Sequence, residues 1–302
     1  MSSLLQQFHD EISLRGYSAR TRNAYLYAIT QLQHYANQPF DNITDEQLTA
    51  YFRYLNLERH HSRATLKLQL NGIHFFYEHV LGRDFTVQLS LPKRPHKLPQ
   101  LLSCQDIAAL LCHCQNLKQR AMLALCYGCG LRVSELTHIK VADIDGQRQL
   151  LKVCQGKGAY DRLVIISPTL LTLLRQYWRA YHPVEWLFAS TYHDVVYPLH
   201  ESTFRKALAK AARLASITKP CSPHSLRHAY ATHQLQAGMP LHQLQAQLGH
   251  HSIKSTERYL HWSPELGHQG CDLLASLGGC HGNLLPCKRY PSSALSPLST
   301  AA

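Results

Sequence analysis

Four separated segments of the chain carry side chains that could work on a phosphate. Gly130-Leu131-Arg132-Val133-Ser134-Glu135-Leu136 opens a helix behind a glycine turn, and Lys157 sits in the run Gln155-Gly156-Lys157-Gly158-Ala159. His224-Ser225-Leu226-Arg227-His228 reads as helical, and Leu248-Gly249-His250 precedes Tyr259 by nine residues. Residues three apart share a helix face, so His224 with Arg227, and Arg132 with Glu135, can each point into one pocket.

This ordered set of Arg132, Lys157, His224-x-x-Arg227, His250 and Tyr259 resembles the tyrosine recombinase (phage integrase) family, in its simple two-domain, Xer-like form, over roughly residues 1–278. The resemblance implies a site-specific recombinase or integrase that cleaves and rejoins duplex DNA through a 3′-phosphotyrosine. It implies no metal ion or other cofactor, and a tetramer acting on two specific sites. It also implies a helical core-binding domain and a catalytic domain that clamp opposite faces of the duplex.

The residue types suit that chemistry. A phosphodiester under attack gains charge on its non-bridging oxygens, and guanidinium forks bind such oxygens in pairs without losing their protons; Arg132 and Arg227 are assigned that clamp. Tyr259 is the nucleophile, but a phenol with a pKa near 10 is only about a thousandth ionised at neutral pH, so it needs a base or a strongly positive pocket. His224 can accept or share that proton and His250 can donate to a phosphate oxygen, with the division between them left open. The departing 5′ oxygen must be protonated, and Lys157 on a Gly-flanked hairpin is assigned as the general acid. Glu135 can orient Arg132 or a neighbouring His, or can lie on plain helix surface.

Each residue has a blander reading. A lone Tyr on an amphipathic helix is usually core, and among 21 His any one is more often structural, which is how His228, His233 and His251 are read. Gly-Lys-Gly turns commonly display a solvated Lys. Cys126-x-x-Cys129, near Cys112-His113-Cys114, has zinc-like spacing, but it lies in the apolar run leading into Arg132, where Cys serves as a small buried residue, so no metal is assigned. Two rival functions stand beside recombination: a DNA-binding accessory protein that does not cut, and type IB topoisomerase-like relaxation.

These side chains need a scaffold, and the periodicity predicts a mainly α protein with a small antiparallel β-sheet. Residues 1–83 read as a helical core-binding domain of the SAM-like kind. Leu4, Phe8 and Ile12 form one stripe, and Tyr25, Ile29, Leu32 and Tyr35 another after Ser18. Leu48, Tyr51, Phe52 and Leu55 follow a Thr44/Gln47 capping box, and Leu66, Leu70, Ile73 and Tyr77 follow Ser62. Arg20, Arg22, Arg59, Arg63 and Lys67 are candidate DNA contacts on the outer faces.

Residues 84–100 read as a basic linker, where Pro92, Pro95 and Pro99 deny a helix and Lys93, Arg94 and Lys97 are further candidate DNA contacts. Residues 101–278 read as the catalytic domain. It has helices from Ser103 and over 121–129, a hairpin of 150–153 with 162–166, and helices at 168–180, 201–215, 223–237, 240–248 and 252–261. A weaker helix at 269–277 would serve assembly, and 279–302 reads as an unstructured tail.

Composition agrees. Lys and Arg outnumber Asp and Glu by 31 to 19, a formal charge of +12, which calls for a polyanionic partner. No apolar run approaches a membrane span, no signal segment opens the chain and the ten Cys suggest reduced thiols, so a cytoplasmic location without a membrane partner is expected. The absence of a long N-terminal extension favours a simple recombinase, and a mobile element is the expected setting, although integration, excision, inversion and dimer resolution read alike.

Overall fold

Local signals set the N-terminal helices. In the computed structural model, which describes residues 3–87, 100–114, 116–154, 161–193 and 195–260, the chain divides into two units, Met1–Lys97 and Leu98–Ala302. The first holds α1 (Ser3–Leu14), α2 (Ala19–Ala36), α3 (Asp45–Leu57) and α4 (Arg63–His79). Ser18, Thr44 and Ser62 cap α2, α3 and α4 by accepting the backbone N–H of Thr21, Gln47 and Thr65, and Gln47 returns a bond to the Thr44 N–H at 3.0 Å. Each such cap is worth about 1 kcal/mol.

The apolar stripes meet in one core of Phe8, Ile12, Ile29, Leu32, Leu48, Phe52, Leu66, Ile73 and Phe76. Tyr35 departs from the expected pattern: it is 44% exposed and lies over Tyr51 and Tyr54 with ring centroids 5.0 Å apart. Gly72 admits the backbone of Tyr25, where a Cβ would come within 3.2 Å. At the other end, Gln31, His34 and Tyr35 line a cavity with His61 and Gln69, so α2 and α4 run antiparallel.

The second unit begins with α5 (Cys104–His113), opened by a Ser103/Asp106 capping box, and the buried α6 (Leu117–Gly128). After the short α7 (Val133–Thr137), an antiparallel sheet of β1 (Ile144–Asp145), β2 (Leu150–Val153) and β3 (Arg162–Ile165) forms in that order. Leu151 sits opposite Val164 and both side chains are buried, so the sheet turns one face to the core. Then come α8 (Pro168–Tyr181), a hairpin of β4 (Ala189–Tyr192) and β5 (Val195–Pro198), α9 (Glu201–Leu214), α10 (Pro223–Gln236), α11 (Leu241–Leu248) and α12 (Lys254–Glu257).

Three features differ from the sequence expectation. Strand β1 is too short to show alternation, and β4–β5 was not expected because Val195, Val196 and Tyr197 are all exposed, leaving no buried-face period to read. The helix expected over 252–261 contracts to Lys254–Glu257, and the Tyr259 N–H bonds to the Thr256 carbonyl, a tighter i−3 turn. The expected hairpin tip with Lys157, the linker residues Lys93, Arg94 and Lys97, the helix at 269–277 and the tail lie outside the described residues. No helix among the described residues is long and apolar enough to cross a membrane.

Candidate active site

A glycine turn delivers the first arginine. Helix α6 ends at Gly128, and Gly130 takes φ +58°, a left-handed conformation; a Cβ there would also stand 2.4 Å from the Tyr230 ring. Glycine is therefore required on two counts. The chain turns into Arg132, which has extended backbone (φ −72°, ψ 151°) and caps α7. The pairing with Glu135 thus differs from the shared helix face expected from spacing: Glu135 folds back as a capping residue. Its Oε2 accepts the Arg132 backbone N–H at 2.8 Å, while Oε1 accepts from the Arg132 guanidinium at 2.6 Å.

Glu135 is buried and gathers more than one cation. Arg162, the first residue of β3, donates both terminal nitrogens to it at 2.9 Å and its Nε to the Gln247 carbonyl at 2.8 Å. Arg227 on α10, 2% exposed, approaches the carboxylate at 3.8 Å and donates to the carbonyls of Gly130 (2.7 Å) and Leu248 (2.6 Å). Burial by itself would push the Glu135 carboxyl up, but the hydrogen bonds and charge of Arg162, then those of Arg132, hold it at about 2. Burial lowers Arg227 to about 10, which leaves it a cation at neutral pH.

Three guanidiniums against one carboxylate leave the cluster with a net charge of +2. The Arg132 side chain, 29% exposed, presents that excess to solvent. Such a site favours an anion, since a buried surplus of positive charge is costly until a ligand neutralises it.

The aromatic groups close around the same cluster. Tyr259 is 3% exposed, its hydroxyl 3.2 Å from His228 Nδ1 and its ring parallel to that of His250. Burial pushes its phenol up, while the charge and hydrogen bond of Arg227 and the charges of Arg258 and Arg132 pull it back. Gly249, at φ +63°, ends α11 and lies against Arg162, where a Cβ would meet Cδ at 2.9 Å. This turn aims His250, whose Nδ1 pairs with Thr256 Oγ1 at 2.9 Å.

His228 and His250 flank the phenol and His224 lies behind His228, and burial and nearby arginines disfavour the charged form of all three. Burial, then Arg227 and Arg132, lower His250 to about 4. Burial, then His224 and Arg227, lower His228 to about 3. The His224 ring, 4.0 Å from that of His228, reaches solvent but is also lowered, by partial desolvation and then by Arg227 and Arg132.

Of the sequence-assigned residues, Arg132, Glu135, His224, Arg227, His250 and Tyr259 converge here, and Lys157 lies outside the described residues. Two residues that the sequence did not assign to the site also lie in it. Arg162 gave no signal, because an Arg opening an edge strand looks like any solvated cation. His228 was read as structural, although its place beside Arg227 on the same helical turn was visible. His233, also read as structural, bonds Tyr127 Oη at 2.9 Å.

The candidate DNA contacts of the N-terminal unit do not form one patch. Arg20 and Arg22 open α2, whereas Arg63 and Lys67 sit at the start of α4 and Arg59 in the connection just before it, which the antiparallel packing places at the other end of α2. The separation is about 20 Å at 1.5 Å per residue. Arg22 also donates to Ser13 Oγ at 3.2 Å. Cys126 and Cys129 are buried, their thiols shifted up by desolvation and set against the carbonyls of Leu131 and Ile165.

The phage integrase family pattern matches residues 95–265, and that of the phage integrase N-terminal SAM-like domain matches residues 4–86. An integrase/recombinase of Sinorhizobium fredii is 37% identical over 262 residues, covering 86% of this chain and 84% of the relative. The tyrosine recombinase XerD of Halalkalibacterium halodurans is 31% identical over 279 residues, covering 85% and 92%. A lambda integrase dimer bound to a COC′ core site shares the fold with a TM-score of 0.68 at 18% identity, over 86% of this chain and 94% of the other. The chain belongs to the phage integrase family. It is a tyrosine recombinase, an enzyme that cleaves and religates DNA.

Proposed function

We propose that Tyr259 is the nucleophile, that Arg132 and Arg227 clamp the scissile phosphate, and that Glu135 holds Arg132 in place. The observation that carries this reading is the burial of the Tyr259 hydroxyl beside Arg227, within an arginine cluster of net positive charge. As Oη bonds to phosphorus, the 5′ oxygen departs with a proton from Lys157, and the phenolic proton passes to His224. His250 donates to a phosphate oxygen. The 3′-phosphotyrosine conserves the ester, so a 5′-hydroxyl from a second duplex reverses the step without ATP.

The enzyme acts as a tetramer on two specific sites, on behalf of a mobile element, with Arg20, Arg22, Arg59, Arg63, Lys67, Lys93, Arg94 and Lys97 among the contacts that grip the duplex. The test is a nicked suicide duplex carrying a site selected from a random pool by binding. The wild-type chain is expected to form an adduct that survives detergent, and Tyr259→Phe to shift the DNA without one. An adduct from Tyr259→Phe, or none from a wild-type chain that occupies the site, refutes the assignment. Sizing of the assembled complex should give four protomers per two sites.

A further inference from the structure

We propose that His228 is a positioning residue for strand cleavage: with its proton on Nε2, its Nδ1 accepts a hydrogen bond from the Tyr259 hydroxyl and aims that oxygen at the arginine cluster. The inference rests on Tyr259 being the nucleophile.

The geometry starts from α10. Arg227 and His228 are consecutive, about 100° apart around the helix, so one turn presents both a phosphate-binding cation and an imidazole to the same pocket. The His228 ring lies 4.0 Å from that of His224, and its Nδ1 stands 3.2 Å from Tyr259 Oη. The tyrosine therefore contacts the same helix that carries the clamp.

A phenol has one proton to donate, and its direction sets where the oxygen lone pairs point. Arg227, Arg258 and Arg132, whose charges reach Tyr259, can only donate. An acceptor is needed to fix the O–H, and a neutral imidazole supplies one. His228 stays neutral because burial, then His224, Arg227, Arg258 and His250, oppose its protonation. The same environment makes it a poor destination for the phenolic proton, since the ring holds a second proton only below about pH 3 while burial raises the phenol. Orientation before cleavage is the role left to it; as Oη turns to phosphorus its O–H leaves His228, and the proton passes to His224, the imidazole nearer solvent.

The experiment uses the full-length chain on the nicked suicide duplex, with single-turnover rates of adduct formation and DNA affinity measured together. His228→Ala is expected to slow the adduct by about 10- to 100-fold, the cost of a misplaced reacting atom, with affinity within about twofold of wild type. His228→Asn places an amide oxygen near the Nδ1 position, accepting a hydrogen bond without being able to take a proton. It is expected to recover at least about fivefold over His228→Ala. If the Ala variant loses DNA affinity, His228→Leu, which fills the space without an acceptor, takes its place. Adduct formation by the acceptor-free variant within about twofold of wild type, or an Asn variant no faster than it, overturns the proposal. Tyr259→Phe run alongside separates the two claims: an adduct from that variant refutes the nucleophile, whatever His228 does.

Discussion

Replacing Glu135 with glutamine keeps the size of the side chain but removes the one negative charge set among Arg132, Arg162 and Arg227. The cost can be worked in two ways. The carboxyl falls from 4.5 to about 2 on folding. At about 1.4 kcal/mol per pKa unit, that corresponds to about 3 kcal/mol of stability at neutral pH. Independently, removing one partner of a buried ion pair costs about 3–5 kcal/mol, because the remaining charge loses its compensation. These describe the same interaction and are not added.

Trp178, Trp186 and Trp262, the three tryptophans of the chain, all follow residue 100, so urea unfolding followed by tryptophan fluorescence reads the catalytic unit. Glu135→Gln is expected to lose about 3 kcal/mol there between pH 6 and 8. Because the folded pKa is depressed, the carboxylate's contribution is complete above about 4.5 and disappears as pH falls through about 2, so the two proteins should converge in acid. A loss below about 1 kcal/mol, or a difference that does not shrink on acidification, refutes the electrostatic account of this residue.

Other consequences can be measured with the same materials. Arg132→Lys and Arg227→Lys should each slow adduct formation by about two to three decades while the gel shift persists, since a lysine cannot reproduce the fork; a loss under tenfold would contradict the clamp. Gly130→Ala combines left-handed backbone with a Cβ 2.4 Å from the Tyr230 ring. It should cost more than about 2 kcal/mol in the same unfolding assay, and a neutral substitution would show that the turn can relax. His228 and His250 have folded pKa values of about 3 and about 4, below their ordinary 6.5. The unfolded chain then binds more protons in acid, so the urea midpoint should be highest above about pH 6.5 and fall toward pH 4, whereas a flat or rising midpoint between pH 6.5 and 5 would count against neutral imidazoles in the folded site.

Short-range patterns carried most of the helices. Ser18, Thr44, Ser62 and Ser103 mark helix starts because a cap involves a side chain and a backbone N–H three residues away. The order of Arg132, His224, Arg227, His250 and Tyr259 was likewise visible, through its resemblance to the tyrosine recombinase pattern. What the chain alone left unread depends on distant partners. Arg162 becomes part of the site through Glu135, 27 residues earlier, and Gln247, 85 residues later. His228 does so through Tyr259, 31 residues away. The sequence by itself determined the helical stripes, the caps and the inventory of reactive groups, all properties of one residue and its near neighbours. Only the tertiary structure decided which cations share Glu135 and which imidazole meets the phenol, since such contacts exist only once burial has brought separate elements within hydrogen-bond reach.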